Sequence, residues 1–207
     1  MNSNKTVVVN LGVANYGSMM NMLKKVGADA QLTDCADDIL NASRIILPGV
    51  GAFDAVMGAL NSHPDIKSAL AQRVLADKTP FMGVCVGMQL LFRSSEEGSL
   101  PGLGWISGSI QKFVSPQDER LPIPHMGWNL VHVEKKSPLL DENEKQKFYF
   151  VHSFRAMGVN KDEILTSTQY GGNFISAVNS NNIFGFQFHP EKSHRYGMNL
   201  FEKFIEL

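Results

Sequence analysis

The stretch from Pro80 to Phe92 constrains this chain most, because an apolar run ends at Cys85 and a helical pattern begins directly after it. Gly83 and Gly87 stand two residues before and two residues after the cysteine. This spacing is typical of a sharp strand-to-helix turn, the elbow that presents the nucleophile in G-x-S-x-G, with Cys in place of Ser. The start of a helix also favours a thiolate through the helix dipole. The segment predicts a cysteine nucleophile, and the competing interpretation is a buried core cysteine.

Length and composition indicate an ordinary globular protein. The chain has 207 residues, 43% of them apolar and 19% charged, so we expect a single domain spanning residues 1–207. A net charge of −1 argues against nucleic-acid binding, and no apolar run approaches the ~18 residues of a membrane span. The two cysteines do not make a disulfide framework, and the polar N-terminus lacks a signal-peptide core. We therefore expect a cytoplasmic protein that contacts neither nucleic acid nor membrane.

Strand and helix patterns alternate in the first half of the chain, and strand patterns dominate the second half. Predicted strands are Thr6–Leu11, Ala30–Thr33, Arg44–Leu47, a run ending at Cys85, Trp105–Val114, Asn129–Val133, Phe148–Phe154, Ile164–Thr168, Phe174–Val178 and Ile183–Phe188. Predicted helices are Ser18–Gly27 with Ser18 as its cap, Asp34–Asn41, Phe53–Leu60, Asp65–Asp77 and His194–Leu207, and Ser115–Leu121 is predicted to be a surface loop. These patterns predict an α/β fold with a three-layer, mixed, mainly parallel sheet flanked by helices, and antiparallel strands in the C-terminal half.

His189 and Glu191 follow a strand pattern and flank Pro190. Residues at i and i+2 of an extended chain point the same way, so the two side chains share a face without necessarily touching. A cysteine nucleophile needs a base that accepts its proton and returns it to the leaving group, and that base needs a group that orients it. Cys85, His189 and Glu191 supply these three roles, whereas a strand-end turn with a solvated glutamate is the alternative.

A glycine-rich turn, Pro48-Gly49-Val50-Gly51, follows another predicted strand. In a parallel sheet it lies at the same edge as Cys85, where ligands of such sheets bind. A tetrahedral oxyanion needs two donors, and we assign them to the N–H of Val86 and to the Val50-Gly51 step. A plain glycine turn is the alternative, since Gly-x-Gly is common.

Together, these segments resemble the class I glutamine amidotransferases over nearly the whole chain. The resemblance rests on the G-x-C-x-G elbow, on His189-Pro190-Glu191 and on the order in which they occur, with Val86 where that family often has Leu. The segment Pro124-His125-Met126-Gly127-Trp128-Asn129 is the most specific, and Tyr149–Phe154 and His189–Ser193 agree with it. On these segments, the chain resembles the branch of the family that supplies ammonia to a (β/α)8-barrel cyclase. That cyclase makes imidazole glycerol phosphate and aminoimidazole carboxamide ribotide in histidine biosynthesis.

The resemblance implies further roles. Glutamine is the implied substrate, and the residues that hold it are Gly51, Gln89, Glu97, Ser153 and Phe154, with Glu97 pairing with the α-ammonium group. The implied partner is the barrel cyclase, in a heterodimer, and the residues that face it are Asn15, His125, Met126, Trp128 and Lys192. No cofactor is implied.

Three alternatives stay open beside this expectation. A paralogue could supply ammonia to a related synthase that aminates a sugar for surface polysaccharide. A stand-alone cysteine hydrolase acting on γ-glutamyl peptides would need no partner. A regulatory binding domain with an inactive site would not be an enzyme, although the intact Cys85, His189 and Glu191 argue against it. The six histidines form no metal-ligand spacing, so we expect no metal site.

Overall fold

The computed structural model describes residues 4–114 and 121–207. Its central feature is an 11-stranded sheet, with helices packed against it. The strands are β1 Thr6–Val9, β2 Ala30–Thr33, β3 Arg44–Gly49, β4 Phe81–Cys85, β5 Ser109–Lys112, β6 His125–Val133, β7 Gln146–His152, β8 Phe154–Met157, β9 Ile164–Gln169, β10 Asn173–Ser180 and β11 Ile183–Phe186. The helices are α1 Tyr16–Lys25, α2 Ala36–Leu40, α3 Phe53–Asn61, α4 Pro64–Ala71, α5 Val86–Gln89 and α6 His194–Ile205.

The parallel part of the sheet has the order β2-β1-β3-β4-β11, with β1 to β4 from the first half of the chain and β11 from the second half. The order reverses after β2, so right-handed crossovers place α1 and α2 on opposite faces. Strands β1, β3, β4 and β11 are buried along their whole length, as expected for strands covered on both sides. Gly49 at the end of β3 is in register with Cys85 at the end of β4, which brings the glycine turn and the elbow to one sheet edge.

The second half of the chain extends the sheet through antiparallel pairs, in the order β11-β10-β9-β6-β7, with β5 beside β8 and β8 beside β10. Its long pair, β6 and β7, lies at the end of this path and reaches back to the parallel part through an isolated bridge between Tyr149 and His189. The predicted α/β fold, a mixed sheet flanked by helices with antiparallel strands in the C-terminal half, is therefore confirmed. The sheet is not mainly parallel, because four of the strand pairs among the described residues are parallel and six are antiparallel.

Several element boundaries differ from the sequence predictions. Helix α1 begins at Tyr16 and is capped by Asn15, whose Oδ1 accepts the N–H of Ser18 at 3.5 Å, so Ser18 is not the cap. The strand predicted at Trp105–Val114 is shorter in the structure and comprises only β5. Gly108 has φ of +93°, which interrupts the extended conformation just before β5 begins.

Three other predictions also change. The strand predicted at Phe148–Phe154 divides into β7 and β8 at Ser153, and the predicted helix Asp65–Asp77 divides into α4 and a π-helical turn at Gln72–Ala76. Helix α5, after the elbow, has only 4 residues, so it offers few aligned peptide dipoles to a thiolate. Residues 115–120 of the loop predicted at Ser115–Leu121 lie outside the described residues. Across residues 4–114 and 121–207, none of the helices combines the length and apolar character that a membrane crossing requires.

Candidate active site

The turn at Cys85 has the backbone of a nucleophile elbow. Cys85 has φ of +55° and ψ of −112°, a conformation that costs an L-residue energy and that tends to occur at functional sites. A Cβ on Gly83 would lie 2.5 Å from the carbonyl oxygen of Gly87, and a Cβ on Gly87 would lie 1.9 Å from that of Leu47. Both contacts involve backbone, which has little freedom to move away. Only glycine therefore fits at positions 83 and 87.

His189 and Glu191 are in direct contact, which the sequence pattern alone did not require. A 3₁₀ turn at Pro190–Lys192 curls the chain so that His189 Nδ1 lies 2.7 Å from Glu191 Oε1. The N–H of His189 donates to the carbonyl oxygen of Tyr149 at 2.8 Å, which fixes the histidine against β7. Because an ionised carboxylate only accepts hydrogen bonds, Nδ1 carries a proton. His189 Nε2 has no hydrogen-bond partner among the described residues.

The charge state of His189 follows from its neighbours. Burial lowers the pKa of His189, but interactions with the neighbouring Cys85 and Glu191 side chains outweigh burial and raise this pKa to about 10. Both side chains of the His189–Glu191 pair are almost fully buried. The arrangement therefore favours an imidazolium between the cysteine sulfur and the carboxylate.

A cavity of about 530 Å³ opens beside Cys85. Most of the residues predicted from the sequence as nucleophile, base, oxyanion donors, substrate contacts and partner contacts line this cavity. The lining residues are Asn15, Val50, Gly51, Cys85, Val86, Gln89, Glu97, Pro124, Val151, His152, Ser153, Phe154, His189 and Lys192. Glu191 is not among these lining residues and reaches the site through its contact with His189.

Two of the predicted substrate-holding side chains already have partners within the chain. Glu97 Oε2 accepts the backbone N–H of Phe53, the first residue of α3, at 2.9 Å. Gln89 Nε2 donates to Gln187 Oε1 at 3.0 Å, and Gln89 Oε1 is buried without a partner among the described residues. Both carboxylate and amide are thereby oriented before any ligand arrives.

The predicted oxyanion segment has one of its donors engaged. The N–H of Val50 donates to the carbonyl oxygen of Val13 at 2.8 Å, in the loop that precedes α1. Gly51 has φ of +95°, a conformation that L side chains rarely adopt, with no atom within 4 Å of an added Cβ. In this conformation, the Val50 N–H is directed at Val13.

Most of the residues predicted to face a partner are accessible, but His125 is not. Met126 and Trp128 are 60% and 46% exposed, and Asn15 and Lys192 line the cavity. The His125 side chain is only 2% exposed, so the prediction that it faces a partner is wrong. The reason is the alternation of β6, in which residues 126 and 128 share one face and residue 125 points to the other.

His125 instead belongs to a buried pair that the sequence analysis missed. His125 Nδ1 lies 2.9 Å from His152 Nε2, and His152 Nδ1 lies 2.7 Å from the carbonyl oxygen of Phe154. The carbonyl can only accept, so each histidine donates from Nδ1. Burial lowers the pKa of His125 to about 4, and burial is also the main cause that lowers the pKa of His152 to about 3. This neutral pair supports the backbone at Phe154, which lines the cavity.

Sequence reasoning also passed over Gln187. Its side chain is fully buried, and its Nε2 lies 3.8 Å from Cys85 Sγ. The signal was available, because Gln187 and His189 are two residues apart and so share a face in an extended segment. Within the described residues, no group of three or more His, Cys, Asp and Glu side chains is arranged to hold a metal ion.

A comparison with known protein families identifies the family to which this chain belongs. A family profile described as "Glutamine amidotransferase class-I" matches residues 7–207. The chain belongs to the class I glutamine amidotransferases. In this amidotransferase, the elbow, the His189–Glu191 pair and the cavity all lie within the matched range.

Similar proteins in three organisms carry related names. The amidotransferase is 48% identical to the Pseudomonas aeruginosa protein named "Imidazole glycerol phosphate synthase subunit HisH 2" over 97% of this chain and 98% of that one. It is 46% identical to the Methanococcus maripaludis protein of the same name, over 96% and 98%. It is also 41% identical to "Imidazole glycerol phosphate synthase hisHF, chloroplastic" of Arabidopsis thaliana, over 96% of this chain and 33% of that protein.

Solved structures share the fold at low sequence identity. One titled "Crystal structure of glutamine amidotransferase" aligns with a TM-score of 0.74 at 16% identity, over 97% of this chain and 99% of that one. The structure of PurLQS from Thermotoga maritima aligns with a TM-score of 0.72 at 20% identity, over 98% and 97%. At this level of identity, the likeness supports the fold alone.

Proposed function

We propose that this chain, as a single domain of residues 1–207, is the glutaminase subunit of an imidazole glycerol phosphate synthase. In this proposal it hydrolyses glutamine to glutamate and ammonia, and passes the ammonia to a (β/α)8-barrel cyclase in histidine biosynthesis. The observation that carries the proposal is the juxtaposition of Cys85, on a strained elbow, with the His189–Glu191 pair at one cavity. The names of the full-length relatives from Pseudomonas aeruginosa and Methanococcus maripaludis support the pathway assignment.

The reaction proceeds in two acyl-transfer steps. The Cys85 thiolate attacks the side-chain amide carbon of glutamine, and the carbonyl electron pair moves onto oxygen. When this intermediate collapses, the carbon–nitrogen bond breaks and His189 gives its Nε2 proton to the leaving amine, which departs as ammonia. Water then attacks the thioester while His189 accepts a proton, and the carbon–sulfur bond breaks to release glutamate. The Nε2 atom of His189 is the atom left free for these transfers.

The remaining lining residues have supporting roles in this proposal. Glu191 holds the imidazole with Nδ1 protonated. The N–H of Val86 and a donor from the Val50-Gly51 step stabilise the oxyanion. Gln89, Glu97 and the backbone at Gly51, Ser153 and Phe154 hold glutamine, with the Glu97 carboxylate paired with the substrate's α-ammonium group.

The partner surface is the rim of the same cavity. Asn15 and Lys192 line the cavity, and Met126 and Trp128 are large apolar side chains left exposed on β6. The Trp128 ring stacks on that of His194, with 5.4 Å between ring centroids, so it presents a fixed flat surface. Enclosure by a barrel over this rim would keep ammonia from becoming ammonium in solvent. The Arabidopsis relative, named hisHF, is matched over only 33% of its length, which agrees with a fused second enzyme.

The deciding experiment offers the purified chain two barrels from its own organism. One is the cyclase of histidine biosynthesis, and the other is any related sugar-aminating synthase. We expect glutamate release, and product formation from glutamine, only with the cyclase and its substrate. Activity only with the second barrel would support the paralogue. Full activity of the free chain would support the stand-alone hydrolase, and no turnover with either barrel would support the regulatory domain.

A further inference from the structure

We propose that Gln187 positions the Cys85 sulfur and stabilises its thiolate form by donating a side-chain N–H to it. This inference rests on the proposed function, because it concerns the nucleophile of that reaction. Gln187 lies one residue beyond the end of β11, which runs parallel to β4 and carries the chain toward His189. It therefore approaches the sulfur from the neighbouring strand.

The direction of the Gln187 amide is set by its surroundings. Gln187 Nε2 lies 3.8 Å from Cys85 Sγ, a contact length that the large sulfur atom accommodates. Gln187 Oε1 accepts the Nε2 group of Gln89 at 3.0 Å, so its carbonyl oxygen is occupied on the other side. The backbone N–H of Gln187 donates to the carbonyl oxygen of Ser176 at 3.0 Å, which anchors the residue to β10. With its oxygen held by Gln89, the amide turns its N–H toward sulfur.

The location of the sulfur gives this donor its importance. Cys85 is only 6% exposed, so little water is available to solvate a thiolate there. A buried anion is costly unless fixed donors replace that water. His189 supplies one charged neighbour, and Gln187 supplies a neutral donor that remains in place when His189 gives up its proton. The same donor favours sulfur as the leaving group when the tetrahedral intermediate of thioester hydrolysis collapses, because the electron pair of the broken carbon–sulfur bond returns to the sulfur.

The pH dependence of Cys85 alkylation by iodoacetamide tests the proposal, since only the thiolate reacts appreciably. The full-length chain would carry Cys35→Ser to remove the exposed second thiol. The test variant is Gln187→Met, which keeps the length of the side chain and removes its donor. The matched control is Gln146→Met, because Gln146 is also buried and bonds instead to the carbonyl oxygen of Asp141 at 2.9 Å. Circular dichroism and thermal melts establish which variants fold.

For Gln187→Met, we expect the pH of half-maximal alkylation to rise by about one unit, with a roughly tenfold slower reaction at a fixed pH below the midpoint. The Gln146→Met profile should superimpose on that of the parent. If Gln187→Met does not fold, Gln187→Asn retains a buried amide but shortens its reach, and the same rise is expected. An unchanged midpoint in a folded Gln187 variant would overturn the proposal. A lower midpoint would also overturn it, because it would mean that the amide oxygen faces the sulfur. Alkylation requires no glutamine turnover, so this result is independent of the proposed glutaminase activity.

Discussion

The hydrogen bond between the Val50 N–H and the carbonyl oxygen of Val13 predicts how the proposed glutaminase is controlled. At 2.8 Å it engages an N–H of the segment that we assign to the oxyanion. A backbone hydrogen bond of this kind contributes about 0.5–1.5 kcal/mol. Coupling between two sites typically amounts to about 1–3 kcal/mol, which is enough to break it. We therefore expect the free chain to hold this donor turned away, and a ligand-loaded partner to release it.

The variant Val50→Pro removes this donor in every conformation, because proline has no backbone N–H. Loss of one oxyanion donor costs a factor of roughly 100 to 1,000 in rate. In the loaded complex, we expect Val50→Pro to lower glutamate release by that factor, to near the level of the free chain. In the free chain, where the donor is already engaged, we expect little change. Val50→Ala keeps the N–H and serves as the matched control.

Steady-state glutamate release provides the assay, measured for both variants with and without the barrel partner and its ligand. Val50 is 40% exposed, so neither substitution should disturb the core. Binding of the partner to each variant would be measured separately, so that weak assembly is not mistaken for lost stimulation. If Val50→Pro assembles normally and keeps the full stimulation by the ligand, Val50 is not the switched donor and this reasoning is refuted.

Three further predictions concern the interface, the elbow and the buried histidines. Trp128→Ala should weaken partner binding by ~2 kcal/mol or more in calorimetry and leave the melting temperature of the free chain nearly unchanged; a destabilised chain with unchanged affinity would contradict this. Gly87→Ala should destabilise the chain by at least ~1–3 kcal/mol in urea unfolding, because its Cβ would lie 1.9 Å from the carbonyl oxygen of Leu47, and a neutral result would contradict the elbow geometry. The folded-state pKa values are about 4 for His125 and about 3 for His152, so below pH 6.5 the unfolded chain binds more protons than the folded chain. The free energy of unfolding should therefore fall by up to ~1.4 kcal/mol per pH unit for each histidine between pH 6.5 and 4. His125→Leu should reduce that slope, and equal slopes for the variant and the parent would count against a neutral pair.

The parallel half of the fold could be predicted from the sequence because its signals are local. The run Ile45–Leu47, for example, is apolar throughout and is followed directly by Pro48 and Gly49, a pattern typical of a fully buried strand. The elbow could also be predicted from the sequence, because only glycine fits at positions 83 and 87. The register of β3 and β4 then brings Gly49 beside Cys85.

The missed features depend on contacts between distant parts of the chain. The His125–His152 pair joins β6 to β7, and no local sequence pattern predicts that these two histidines will form a hydrogen bond with each other. His125 was assigned to the surface together with Trp128, although an odd separation in a strand places residues on opposite faces. The hydrogen bond from the Val50 N–H to the carbonyl oxygen of Val13 likewise links the turn after β3 to the loop before α1, and it forms only once the strands are assembled.

The most direct measurement of the central claim compares two nitrogen sources in the complex that carries Cys85→Ala. The sulfur is needed to release ammonia from glutamine, whereas ammonia added as a salt bypasses it. We predict that product formation from glutamine falls below a hundredth of the parent rate, while product formation from ammonium chloride at alkaline pH stays within about twofold of the parent. Cys35→Ala should alter neither rate. Retention of glutamine-dependent synthesis by a correctly assembled Cys85→Ala complex would contradict the assignment of Cys85 as the nucleophile.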